Sequence, residues 1–227
     1  MKSINELLES LSIKYNDVSL YETAFTHSSF NSDANTKHHD YERLEFLGDT
    51  VVGLVVAELS FKIYPNVSQG PLTKMKSSLV STPSLAKLSR KLGFAEYIKV
   101  GCSFTSEVSK ADHLLEDVFE AFVGALYLDL GFEKAKEFVV SMFDDLVRNY
   151  DFDASVDYKS RLQEEMQAEH RESVSYEVVK EIGPAHDRRF VVQVVFDGIV
   201  LGVGEGTSKK SAEQMAAKQA LNKEANR

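Results

Sequence analysis

A chain of 227 residues, 43% hydrophobic and 27% charged, has the composition of a soluble globular protein, and its length allows one large or two modest cored domains. A single cysteine, Cys102, excludes an internal disulfide. No apolar run approaches the ~20 residues of a membrane span, and the opening Met1 to Glu6 carries an acid where a signal peptide would be apolar. The expected location is therefore the reducing cytoplasm, with no membrane partner and with Cys102 as a small buried or partly buried residue. The net charge of -9 excludes a uniformly basic nucleic-acid binder. Residues 51–100 nevertheless carry a net +5, against -5, -6 and -3 for 1–50, 101–150 and 151–227. Any polyanion contact must use local patches and be salt-sensitive.

In chain order, an amphipathic helix spans about Ile4 to Leu11 and is followed by Tyr21 to Phe30, where His27 reads as a buried, hydrogen-bonded structural histidine. The polar loop 31–40 contains His38 and His39, which read as surface residues. From Leu44 to Leu59 the chain is almost entirely apolar, which predicts a helix buried on most sides. Glu42, Glu45 and Asp49 sit within or beside this run at spacings of three and four, hence on one helix face. Unpaired buried carboxylates are costly and clustered ones repel, so a cation must meet this face, either basic side chains or a metal.

Pro65 ends that helix. Pro71 lies in the first turn of the next, which carries Lys74 and Lys76 at the head of the net-basic segment, where phosphate contact is expected. Another helix opens at Ser81-Thr82-Pro83 and closes at Gly93. A loop from Gly101 to Lys110 leads to a second apolar helix with acids, in which Asp117 and Glu120 share a face while Glu116 points about 100° away. Gly48, Gly53 and Gly124 lack a Cβ and would let the two acidic helices approach closely. An oxygen-only donor set of this kind suits magnesium or manganese rather than zinc. Gly131 ends the second helix, and a last one runs from Glu133 to about Asn149.

The run Glu42-Arg43-Leu44-Glu45-Phe46-Leu47-Gly48-Asp49 resembles the signature of ribonuclease III, and Glu116-Asp117-Val118-Phe119-Glu120-Ala121 resembles that family's second acidic motif. Two positions depart from the family pattern: Ser28 stands where Arg is usual, and Gln69 where Glu is usual. The resemblance implies a catalytic site and metal site at Glu45, Asp49, Asp117 and Glu120, with Glu42 and Arg43 in support. It implies Mg2+ as cofactor with Mn2+ as a substitute. It also implies a homodimer that cuts double-stranded RNA, leaving 5′-phosphate and 3′-hydroxyl ends with short 3′ overhangs.

Beyond an aperiodic linker at 150–157 the pattern changes. A helix from Tyr158 to Glu169 precedes alternating strands at Ser173 to Glu181, Arg189 to Phe196 and Ile199 to Gly204. Asp197-Gly198 forms a hairpin turn, and a final helix starts at Lys209. This α-β-β-β-α order, with Gly204-Glu205-Gly206-Thr207-Ser208-Lys209-Lys210, resembles the double-stranded RNA-binding domain. Lys209 and Lys210 oppose the helix dipole unless a phosphate binds there, and Ser208 is the expected N-cap. The resemblance adds Ser160, Gln163, Glu164, Gln167 and His186 as RNA contacts in the minor grooves of A-form RNA. The expected fold class is thus two domains: an all-α ribonuclease III endonuclease domain, 1–149, and an α+β double-stranded RNA-binding domain, 158–227. The rival reading from a different class is a duplex-RNA-binding protein that has lost cleavage.

Overall fold

The structure is a computed structural model that describes residues 2–30, 39–152, 157–170, 173–184 and 188–224. It divides into two compact units, Met1–Phe152 and Asp153–Arg227.

The first unit is helical: α1 Ile4–Ser10, α2 Val18–Ala24, α3 Glu42–Ile63, α4 Gln69–Leu79, α5 Thr82–Lys91, α6 Asp112–Leu130 and α7 Phe132–Arg148. Local chemistry sets the ends. Ser3 and Glu6 form a capping box at α1, Tyr64 caps α3 just before Pro65, and Gly131 ends α6 at a φ of 84°. One short parallel bridge joins Thr26 to Lys99.

Helix α6 is the axis of this unit, buried from Leu114 to Leu126 except at Glu116 and Asp117. Phe119 and Phe122 anchor an aromatic core with Phe94, Phe138 and Phe143; the Phe94 and Phe122 ring centroids are 5.0 Å apart. Helices α3 and α6 touch backbone to backbone. A Cβ added at Gly48 would lie 1.8 Å from the Glu120 carbonyl oxygen, and one at Gly124 would lie 2.3 Å from that of Leu44. Gly53 does not take part in this approach, contrary to expectation, because a Cβ there would meet nothing within 4 Å. Cys102 is exposed rather than buried, because the polar loop around it sends other side chains, Phe104 and Val108, toward the core. Tyr150 and Phe152, read from sequence as the start of a linker, pack on the helical unit, with the Phe152 ring 5.0 Å from that of Tyr64.

The second unit comprises α8 Tyr158–His170, β1 Ser175–Ile182, β2 Arg189–Phe196, β3 Ile199–Gly206 and α9 Lys209–Glu224. The strands form an antiparallel sheet in the order β1-β2-β3, with Tyr176 opposite Val194 and Phe190 opposite Gly206. Asp197 and Gly198 both have positive φ, 47° and 75°, as a two-residue hairpin turn of type I′ requires. Leu162, Met166, Val194, Ala216, Ala217 and Ala220 form the core. Helix α9 sits directly on β3, where a Cβ at Gly204 would lie 2.1 Å from the Ala216 nitrogen.

Gly48→Ala and Gly124→Ala are expected to destabilise the helical unit by about 3 kcal/mol each in urea denaturation, since only backbone could give way. Gly70→Ala, which meets nothing within 4 Å, is expected to change stability by no more than about 1 kcal/mol. Equal effects at the three positions would contradict this account of the crossing.

Candidate active site

The glycine crossing sets where the acids lie. Glu45 and Asp49 sit three residues before and one after Gly48 on α3, and Glu120 sits four before Gly124 on α6, so both sets flank the point of backbone contact. Glu120 is 7% exposed, Glu45 and Asp117 are half-buried, and Asp49 is exposed. The tight packing that removes water from Glu120 also brings the other carboxylates near it.

Electrostatics report this proximity. Burial pushes Glu120 up to about 8, with further upward pressure from Asp49, Glu116, Glu45 and Asp117. Glu45 is raised by burial, then by Asp117, Glu42, Glu116 and Asp49. Asp117 is raised by burial, against a hydrogen bond from Tyr41 that lowers it. The ion pairs in this region join Glu116 to His113 Nδ1 at 3.4 Å and Asp112 to Arg90. Neither neutralises the four acids. Arg43, the cation nearest in sequence, is exposed.

Among the described residues no three His, Cys, Asp or Glu side chains are already arranged to hold a metal ion. The acids share a field without forming a closed cage. The donor chemistry nonetheless fits a hard divalent cation: carboxylate oxygens only, with Glu120 pushed up to about 8 by burial and then by its acidic neighbours. A cation would remove the repulsion that the fold builds in.

His27 is half-buried and hydrogen-bonded, its Nδ1 2.7 Å from Ser29 Oγ and accepting from the Ser29 N–H at 3.0 Å. Its ring faces Tyr41 and Phe104. Ser28 is half-buried, and Gln69 is exposed at the start of α4. On the same helix Lys74 is exposed and Lys76 half-buried.

In the second unit Ser160, Glu164 and Gln167 share the exposed face of α8 away from Leu162 and Met166, and half-buried Gln163 flanks it. Two are engaged locally: Ser160 Oγ donates to Asp157 at 2.8 Å, and Gln163 Nε2 donates to Ser173 Oγ at 3.0 Å. Ser208 caps α9 by accepting from the Ser211 N–H at 3.1 Å. Lys209 and Lys210 follow, both exposed; Lys209 lies over the Phe190 ring and 3.7 Å from Glu181. His186 falls outside the described residues.

A ribonuclease-III-like family model matches residues 17–146, and a double-stranded RNA binding motif matches residues 158–224. The chain belongs to the ribonuclease III family. It is 44% identical over 227 residues to Ribonuclease 3 of Streptococcus gordonii, covering 99% of this chain and 98% of that protein. It is 42% identical over 223 residues to Ribonuclease 3 of Lactococcus lactis subsp. lactis, covering 97% and 96%. The crystal structure of the nuclease domain of ribonuclease III from Campylobacter jejuni matches with a TM-score of 0.58 at 34% identity, covering 66% of this chain and all of that one. A second structure of that domain, described for structural flexibility in a region involved in dimer formation, has the same TM-score and covers 63% and 97%. The enzyme class is accordingly a ribonuclease III endonuclease.

Within this ribonuclease III fold, sequence reading missed two neighbours of the acids. Glu116 points to a diverging face by helical angle, yet its charge acts on Glu45, Asp117 and Glu120; angular separation on a helix does not screen a charge in a half-dry site. Tyr41 donates from its hydroxyl to Asp117 Oδ2 at 2.9 Å, and burial with the Asp117 charge pushes its phenol well above the usual range. The two residues are 76 positions apart, so no local sequence signal could pair them.

The raised Glu120 gives a pH signature. Its proton is bound more tightly in the folded chain than in the unfolded one, so stability is fully present below about 4.5 and is lost as pH rises through about 8. In chelator, the melting temperature is expected to fall across that window, and Glu120→Gln is expected to flatten the profile and melt above wild type at its alkaline end. A wild-type profile that rises across the same window would contradict the assignment.

Proposed function

We propose that this ribonuclease III is a divalent-metal-dependent endoribonuclease that hydrolyses phosphodiester bonds in double-stranded RNA for RNA processing or degradation. The products on this reading carry 5′-phosphate and 3′-hydroxyl ends with short 3′ overhangs. The observation that carries it is the convergence of Glu45, Asp49, Asp117 and Glu120 at one backbone crossing, in a chain whose second unit matches a double-stranded RNA binding motif.

On this reading those four carboxylates are the catalytic and metal-binding residues, and Mg2+ or Mn2+ is the ion they select by hardness. When bound, the ion supplies charge neutralisation at the scissile phosphate and activation of the attacking water. Glu120 holds its proton at neutral pH in the cation-free chain and releases it to become a ligand. Tightly packed α3 and α6 keep the carboxylates from relaxing apart, which preorganises the site. Duplex RNA would be held by Lys74 and Lys76 on the nuclease unit. On the second unit it would be held by the α8 face, by His186, and by Ser208, Lys209 and Lys210, where a phosphate repays the lysines' opposition to the helix dipole. The domain boundaries 1–149 and 158–227, with a joining segment whose first residues Tyr150 and Phe152 pack on the helical unit, and a cytoplasmic location, belong to the same proposal. No helix among the described residues is long and apolar enough to cross a membrane.

The functional form is proposed as a homodimer. Phe46, Leu54 and Phe61 on α3 are 80%, 55% and 70% exposed and fall within about 80° of arc, an apolar stripe expensive to leave in water. Phe46 borders a cavity of about 830 Å³ lined by Leu20, Leu44, Leu47 and Leu128. Glu42 and Arg43 line the same cavity, which supports their role at a subunit contact. Wild type sedimenting as a single 25.4 kDa chain at micromolar concentration would contradict the dimer.

The catalytic test pairs wild type with Glu120→Gln on long duplex RNA in magnesium, reading cleavage and binding together. Wild type is expected to cut duplex but not single strands, while Glu120→Gln binds duplex with cleavage reduced at least about 100-fold. Binding by both proteins with cutting by neither would establish the rival, a duplex-RNA-binding protein without nuclease activity.

A further inference from the structure

Among the described residues, Asp117 is the only one of the four acids whose carboxylate accepts a hydrogen bond from the protein, and the donor is Tyr41. Tyr41 is 6% exposed and is itself fixed from several sides. Its N–H donates to the Thr26 carbonyl at 3.0 Å, and its carbonyl accepts from the Leu44 and Glu45 N–H groups, both at 2.9 Å. Its ring lies 5.7 Å from that of His27. His27 in turn is tied to Ser29, whose hydroxyl accepts from the Gly101 N–H at 3.0 Å. A buttress thus runs from the 101 loop through Ser29, His27 and Tyr41 to one carboxylate oxygen of Asp117.

We propose that Tyr41 is a positioning residue for divalent-cation binding. By holding Asp117 Oδ2, its hydroxyl leaves Oδ1 as the oxygen presented to a cation and fixes the carboxylate's rotation before the cation arrives. The neutral donor does this without the competing positive charge that a lysine or arginine would bring. Outer partners of this kind typically change metal affinity by about 10- to 100-fold when removed. Tyr41 also opens α3 from the same turn that carries Glu45, so one side chain couples the two acidic helices. The inference rests on the reading of the four acids as cation ligands.

The test measures Mn2+ binding directly, by electron paramagnetic resonance of the free ion, on the full chain without RNA. Wild type, Tyr41→Phe, Asp117→Asn and the double variant are compared, with thermal melts confirming folding. Tyr41→Phe keeps the ring and the backbone bonds; it is expected to weaken Mn2+ binding by about tenfold and leave duplex RNA binding unchanged. In the Asp117→Asn background the same change is expected to have no further effect, which a merely structural role would not produce. Ser29→Ala, which loosens His27 while leaving the Tyr41 hydroxyl, gives a second reading, with a loss in the same direction that again disappears without Asp117. Unchanged Mn2+ affinity in Tyr41→Phe, or an equal loss with and without Asp117, would overturn the role of Tyr41 while leaving the acids as ligands. If Asp117→Asn itself binds Mn2+ like wild type, the reading of the acids falls and takes this inference with it.

Discussion

The structure depends on one close contact, the crossing of two helices at Gly48 and Gly124. There α3 and α6 approach until a single methyl group on either glycine would collide with the other helix's backbone. The closeness of the two acidic helices follows from that approach. It buries Glu120 and brings Glu45, Asp49 and Asp117 close enough for their charges to act on it. Helices usually keep charge on the solvent side; here the charge lies beside a contact of backbone on backbone.

The cost of that arrangement falls on the apolar core. Buried carboxylates that repel one another destabilise a fold unless other interactions exceed the penalty. The aromatic cluster around Phe119 and Phe122 supplies them, on the opposite side of α6 from its acids. The second unit uses the same packing device for another purpose: Gly202 and Gly204 let α9 lie flat on β3, holding Ser208, Lys209 and Lys210 at its exposed start. In both units glycine brings backbones together so that polar groups are displayed at a fixed place.

Much of this was legible in the sequence because it is local. The apolar runs interrupted by Glu45, Asp49, Asp117 and Glu120, the stop at Pro65, the Asp197-Gly198 turn and the switch from helical to alternating period all act within a few residues. What was not legible is non-local or depends on facing directions. Gly53 looks like Gly48 in sequence, yet it faces away from α6 and falls on the exposed stripe with Phe46 and Phe61. Glu116 diverges from Asp117 by helical angle, yet its charge reaches the same site. Tyr41 meets Asp117 only through the tertiary fold. Cys102, small and apolar enough to bury, is exposed because its loop uses Phe104 and Val108 instead.

The central claim is that the glycine crossing assembles one cation site from two helices. Crystals of the full chain soaked in Mn2+, with data collected for its anomalous scattering, test it most directly. The account predicts a strong anomalous peak within about 2.5 Å of carboxylate oxygens from both helices, Glu45 or Asp49 on one side and Asp117 or Glu120 on the other. A peak bound by one helix alone, or manganese bound only elsewhere on the chain, would contradict it.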